Sequence, residues 1–534
     1  MFPLVSSRLL ARVLRFASLP RLCIATVLAA GVHAQVPSGY TLAFSDDFTG
    51  TSLDTSAWSY RTDARGNSQQ QAANVSVSGG YLHLAVKKEI VGSYNYTGGG
   101  IISKAGYAEG YYEARFKVPA GAGWHSSFWV MGYNGVDTGK GANEQEIDIC
   151  EQDSNNLPRY TTDYHKWSPS PEVHNIGTRT LYTTDMHANF HTLGALFTAT
   201  KVTYYLDGVE TSTTDISSYP DHNNANIWLT TIAFNSTIDD TLLPSEMLVD
   251  WVRYYAPPEV VVDDTDSSGI TKNGAWTSST YNSGYYGADY LHDGNTGVTG
   301  GKSVLYTPAL ATSGNYIVYA RWTAGANRAS NTPIDVIDSF GNARSFAVDQ
   351  QQNHATWVRL GTYYPLRASL PGIVQISNDG ANGYVIADAV KWVQGGPAET
   401  IVDNTDSSAV TITGSWTTST STTGYYGANY LHDGNTGSAG GKSVKFAPTL
   451  PHTSSYAVYA RWTAGANRAS NTPIDIVDGT GATHTVTVNQ QNDNGAWVSL
   501  GTYSFTAGAT GYVRIRNDGA NGYVIADAVK WVLQ

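Results

Sequence analysis

The chain of 534 residues carries 32 Lys and Arg against 44 Asp and Glu, a formal net charge of −12, and only 14% of it is charged, against roughly 25% in an ordinary soluble domain. No basic cluster follows the first few dozen residues, which excludes a nucleic-acid partner, because readers of a phosphate backbone mass their Lys and Arg. With 54 Gly and 35 Tyr against 4 Met, the composition excludes a helical bundle and predicts twisted strands joined by tight turns, in about three domains.

The chain opens with Arg8, Arg12, Arg15 and Arg21 and no acid, then an apolar run from Leu22 to Ala30, then Val32-His33-Ala34. That order predicts a secretory signal peptide over residues 1–34, cleaved after Ala34; the apolar run is about half of what a membrane span needs. The expected product is an acidic monomer without a membrane span, secreted, periplasmic or held at the cell surface. Cys23 leaves with the leader and Cys150 remains alone, so no internal disulfide is expected.

Residues 35–256 form an unrepeated unit that reads as β-structure. Tyr111-Tyr112-Glu113-Ala114-Arg115-Phe116-Lys117-Val118 alternates between faces, and Val202-Thr203-Tyr204-Tyr205-Leu206 ends in the turn Asp207-Gly208. Between them lies Glu144-Gln145-Glu146-Ile147-Asp148-Ile149-Cys150-Glu151, a density of acids foreign to the rest of the chain. Along a regular strand Glu146 and Asp148 share one face, Ile147 and Ile149 the other, and Glu151 falls on the wrong side. One extra residue bulged out between Asp148 and Glu151 restores the parity and brings all three carboxyls to one surface. Carboxyls that close raise one another's pKa, so one stays protonated while another remains a nucleophilic anion, the pairing glycoside hydrolysis needs. A solvated acidic face or a cation site is the bland alternative.

Just upstream, Trp124-His125-Ser126-Ser127-Phe128-Trp129 predicts a neighbouring strand. Trp124, His125 and Trp129 are candidate substrate contacts, since an aromatic plate stacks on a sugar ring; Phe128 and Trp129 serve equally well as core. His165, in Tyr164-His165-Lys166-Trp167, either reaches a substrate hydroxyl or is structural. Cys150 has no partnering base and is expected to pack as a small hydrophobe.

The run Glu146-Ile147-Asp148-Ile149-Cys150-Glu151 resembles the bulged E-x-D-x-x-E signature of family 16 glycoside hydrolases, found among laminarinases, agarases and carrageenases. The resemblance extends through Phe44-Ser45-Asp46-Asp47-Phe48, Leu53-Asp54 and Trp58, then Gly99 to Lys104 and Gly110 to Arg115. It continues with Phe190-His191-Thr192-Leu193-Gly194, Tyr205 to Gly208 and Val249 to Tyr254, in the family's order. It implies a concanavalin A-like jelly roll with an open cleft and a retaining mechanism: Glu146 the nucleophile, Glu151 the acid and later the base, Asp148 tuning the nucleophile. Where β-1,3-glucanases usually show Trp-Pro-Ala, this chain has His125-Ser126-Ser127, closer to red-algal galactanases. The substrate is therefore expected to be a β-glucan or a red-algal galactan, cut internally. The rivals are a non-catalytic lectin or adhesin on the same fold, which has no need of the three acids, and a transglycosylase. A calcium ion bound to such a sandwich could draw on Asp47 or Asp250, but neither makes a recognisable loop of oxygen ligands, so no metal or cofactor is assigned.

After Ala256-Pro257-Pro258, Gly284 to Asn295 recurs at Gly424 to Asn435 with only Asp289 changed, to Asn429; Tyr319 to Asp335 and Asn378 to Val393 recur likewise. These are two β-sandwich copies, residues 259–395 and 399–534, of about 135 residues each, far longer than a solenoid repeat. Gly383-Tyr384-Val385-Ile386-Ala387-Asp388-Ala389-Val390 and its copy from Gly522, with Val262-Asp263 and Val402-Asp403, resemble the golvesin and xanthan-lyase C-terminal module. The resemblance implies binding of carbohydrate or a surface, with Tyr286, Trp322 and Arg328 as candidates and Tyr426, Trp462 and Arg468 as their equivalents. Two weak sites on one chain would raise avidity through effective concentration.

Overall fold

A computed structural model describes residues 36–534 apart from 38, 133–143, 220–221, 235–236, 296–299, 397 and 436–439, so the expected leader lies outside the described residues. The described residues form strands and loops, with two short 3-10 turns at Ala72–Asn74 and Asp240–Leu242. No helix among them is long and apolar enough to cross a membrane. The architecture is all-β, as the composition demanded.

The first unit is a sandwich of two sheets. One has seven strands: β1 (Trp58–Tyr60), β2 (Gly100–Tyr107), β3 (Trp124–Met131), β4 (Gln145–Asp153), β5 (Arg159–Lys166), β6 (Arg179–Tyr182) and β7 (Ala225–Ala233). Their spatial order is β6-β5-β4-β3-β7-β2-β1. The second, eleven-stranded sheet is built around Gly110–Lys117, flanked by His191–Phe197 and Ser245–Ala256. Alternation along each strand sends one set of side chains between the sheets. Phe128, Val130, Ile147, Ile149 and Leu229 from the first meet Ala114, Phe116, Leu193 and Val249 from the second. Phe116 and Phe128 meet edge to face at 6.4 Å.

The opposite face of the seven-stranded sheet is left for chemistry, and one irregularity shapes it. Asp148 pairs with Asp163 and Glu151 with Thr161 on β5, while on β3 Trp129 faces Asp148 and Phe128 faces Cys150. Ile149 is thus one residue more than the partners can match, a β-bulge at the position that the parity of the acids requires.

Each tail copy repeats one arrangement of three sheets, with five-stranded Ile270–Asn273, Ser303–Tyr306, Ile373–Ser377, Thr332–Ile337 and Ala343–Val348 matched in the second copy from Val410–Thr413 to Thr483–Val488. Trp322 and Trp462 are 1% exposed and sit in the two cores. Arg328 and Arg468 are buried against Tyr290 and Tyr430, donating to the carbonyls of Thr323 and Thr463. These four are therefore structural and not surface ligands. Their repeated sequence context hid this, because duplication preserves core and surface alike.

The copies are docked on the first unit. Glu399 pairs with Lys201 and, at 3.6 Å, with Lys530; Arg461 reaches Glu210 at 3.2 Å. Between the copies, Phe340 stacks on His452 with ring centroids 3.7 Å apart.

Candidate active site

Glu146, Asp148 and Glu151 line one cleft of about 320 Å³ together with Arg61, Arg65, His125, Ser127, Trp129, Met131, Trp167, Thr230 and Phe234. Every cleft residue contributed by β3 is odd-numbered, and its even-numbered neighbours enter the core, as alternation dictates. The Trp167 indole donates to Glu146 Oε2 at 2.7 Å. His165 Nε2 lies 3.1 Å from Asp148 Oδ2 and 3.9 Å from Asp163 Oδ2. His125 bridges two acids, Nε2 to Glu151 Oε1 at 3.2 Å and Nδ1 to Asp153 Oδ1 at 2.9 Å.

The electrostatics divide the trio. Burial and the Asp148 charge push Glu146 up to about 8. Burial and the Glu151 charge push Asp148 well above the carboxyl range. Burial also works against ionising Glu151, yet the hydrogen bond and charge of His125 outweigh it and hold Glu151 below its ordinary value. For His125, burial disfavours the cation, but the hydrogen bonds to Asp153 and Glu151 win and raise it to about 9. Near neutral pH these shifts favour protons on Glu146, Asp148 and His125 and an anionic Glu151. Behind the acids, burial pushes the Cys150 thiol far up, so it is no nucleophile.

Of the expected contacts, Trp129 lines the cleft, stacked on Trp228 at 4.6 Å with the Arg61 guanidinium 5.9 Å from its ring centre. His165 stands beside Asp148 and is not among the residues lining the cleft. Trp124 does not reach the cleft at all: 1% exposed, it packs with Val86 and Ala233. One residue before His125, it has the opposite parity, a signal present in the sequence. Residues that the sequence reading passed over are Trp167, Arg61, Arg65 and Phe234. Phe234 is 55% exposed at the cleft, its ring 5.0 Å from that of His125. Trp167 shares the parity of His165 two residues before it, a signal present in the sequence; the other three come from separate strands or loops, so no spacing within one segment points to them. In the tail, Tyr286 is exposed and packs near Trp357, whereas Tyr426 faces the docking seam with the first unit. A larger cavity of about 490 Å³ lies in that seam, where the ion-paired Lys201 and Glu399 mark it as a docking contact.

A family model described as the GH16 domain of β-porphyranases A–D matches residues 40–257, and one described as the golvesin C-terminal domain matches residues 260–394 and 400–533. A xanthan lyase from Bacillus sp. (strain GL1) is 51% identical over 135 residues, 25% of this chain and 14% of that protein. A β-glucanase from Acetivibrio thermocellus is 27% identical over 216 residues, 38% of this chain and 60% of the glucanase. The β-porphyranase E of Zobellia galactanivorans is 37% identical over 118 residues, 20% of this chain and 40% of that protein. The chain thus spans less than two thirds of each of these relatives.

Proposed function

The chain belongs to the golvesin C-terminal domain family across its second half and carries a family 16 glycoside hydrolase domain of the β-porphyranase type before it; from that premise we propose an exported, retaining endo-glycosidase that cuts a β-linked polysaccharide. The observation that carries the reading is the bulge at Ile149, which gives Glu146, Asp148 and Glu151 a common cleft.

In this reading Glu146 attacks the anomeric carbon and Glu151 protonates the leaving oxygen, then activates water. That protonation order must be inverted for the reaction, and the neighbours supply the means. Glu146 releases its proton to solvent, while Asp148 keeps its own and, together with the Trp167 N–H, hydrogen-bonds the Glu146 carboxylate. His125 passes its proton across 3.2 Å to Glu151 and becomes neutral. One proton, that of Glu146, leaves the site, and the result is an anionic nucleophile facing a protonated acid.

Arg65 brings an exposed guanidinium to the cleft of a chain of net charge −12, while Arg61 behind it is paired with Asp63 at 2.7 and 2.9 Å. Arg65 favours a sugar with an anionic substituent such as a sulfate ester, hence a red-algal galactan over a neutral β-glucan. The names of the β-porphyranase relatives support the same choice. The two tail copies hold the enzyme on polysaccharide or at a surface; their likeness to a segment of a xanthan lyase supports this.

Incubation with porphyran, agarose, carrageenan, laminarin and mixed-linkage glucan, with product sizing and NMR of the first anomer formed, tests the reading. The expected result is short oligosaccharides from the sulfated galactans with retained β-configuration. No cleavage of any of the five, or inversion, overturns it.

A further inference from the structure

The two tail copies differ at a place their shared fold holds in common. In the first, Asp263 ends the strand Glu259–Asp263, Asp264 follows it, and Asp388 sits between Ile386–Ala387 and Ala389–Gln394. One carboxylate oxygen from each lies within 4.8 Å of the others, and the three residues are 6%, 1% and 0% exposed. Asp289, just before the strand Tyr290–His292, adds its charge beside Asp264. Gly287 lets the loop close over them, since a Cβ there would stand 2.2 Å from Asp263 Oδ2.

Part of this cluster is satisfied by protein. Asp388 accepts from the Tyr286 N–H at 3.0 and 3.3 Å, Thr265 donates to Asp263 Oδ2, and Ser278 donates to Asp289 Oδ2 at 2.8 Å. Both oxygens of Asp264, Asp263 Oδ1 and Asp289 Oδ1 have no hydrogen-bond partner. A desolvated carboxylate in that state must take up either a proton or a counter-charge. Arg321 supplies one guanidinium near Asp388, against four acids.

The second copy is a control within the same chain. Asp403 and Asp527 stand at the positions of Asp263 and Asp388, but Asn404 and Asn429 replace Asp264 and Asp289. The two amides hydrogen-bond to each other at 2.8 Å. None of these four residues is among the buried side chains left without a partner. Two acids on separate segments have changed together, four acids become two, and the bare oxygens are gone.

We propose that Asp263, Asp264, Asp289 and Asp388 of the first golvesin copy bind a hard divalent cation, calcium in the first place, and that the second copy does not. The donor set is all oxygen and rich in carboxylate, which suits calcium and offers nothing to a soft metal. The site lies in the tail and is separate from the acids of the cleft. It staples the opening strand of the copy to its closing strand.

The test compares calcium stoichiometry by titration calorimetry for the chelator-treated full chain and for the double variant Asp264→Asn/Asp289→Asn. The variant carries the pair already accommodated by the second copy, so it is expected to fold. The expected result is one fewer calcium ion per chain in the variant, and a calcium-dependent rise in Tm present in the parent and diminished in the variant. The reciprocal exchange Asn404→Asp/Asn429→Asp is expected to add one ion. Equal stoichiometry of the parent and the first variant, or no calcium bound by the parent at millimolar concentration, overturns the proposal.

Discussion

Glu146→Gln and Glu151→Gln each remove one carboxylate from a desolvated trio, and each is expected to lower kcat by about 10³-fold or more, with Tm unchanged or raised for Glu146→Gln and lowered for Glu151→Gln, which loses the pairing with His125. Initial rates on whichever polysaccharide the parent cleaves, beside thermal melts, check this; full activity in either variant refutes the assignment. His125 makes a sharper case, because its raised pKa ties rate and stability to pH. Its folded value of about 9 lies above the ordinary 6.5, so the stability it contributes is complete below about 6.5 and lost as pH rises through 9. Denaturation of His125→Gln against the parent should therefore show a gap that closes over that window. The rate profile should lose its alkaline limb near 9, because the proton source for Glu151 is gone. The acids were legible in the sequence by composition and parity alone. The role of His125 was not: its bonds to Glu151 and Asp153 cross between two strands, and a sequence gives adjacency along a strand but not across it.

At the level of the strand, the bulge at Ile149 explains why the signature tolerates one spare residue. Deleting Ile149 leaves Glu146, Asp148 and the former Glu151 at even spacing, so all three still face the cleft on a regular strand. The deletion also removes a core side chain, at a cost of about 2–5 kcal/mol. A folded protein with a lowered Tm and more activity than Glu151→Gln is the expected outcome, read by the same assays. Parity was also the information available and unused for Trp124, which the rule sends inward as surely as it sends His125 outward. The same rule sends Trp322 inward with Val318 and Ala320, and Trp462 inward with Val458 and Ala460. Arg328 and Arg468 lie beyond the strands beside glycine-rich turns, where the period of two lapses, and only the packing shows them to be buried.

At the scale of the molecule, composition and repetition gave three β units, whereas the contacts between them left no trace in the sequence. Lys201, Glu399 and Lys530 come from the first unit, the linker side of the last and its final strand. The two lysines hold Glu399 below its ordinary range although burial works against its charge. That contribution is present above the ordinary carboxyl pKa and lost as pH falls through the lower folded value. Glu399→Gln strands two partly buried ammonium groups and is expected to weaken the seam by about 3–5 kcal/mol. Limited proteolysis near residue 397 and small-angle scattering would report a faster cut and a larger radius, with hydrolysis of short soluble oligosaccharides little changed. An unchanged digestion pattern would remove Glu399 from the account of docking.

The Phe340–His452 stack and the ion pairs at the seam make the tail a bracket and not a tether. An enzyme on a flexible leash sweeps a sphere of neighbouring strands, but one bolted to its anchor can sever only chains that run at a set offset from the point of attachment. Ordered, bundled polymer offers that offset repeatedly, and dispersed polymer only by chance. A rate advantage on fibrous over dissolved polysaccharide, lost when the seam is loosened, is the signature such rigidity would leave.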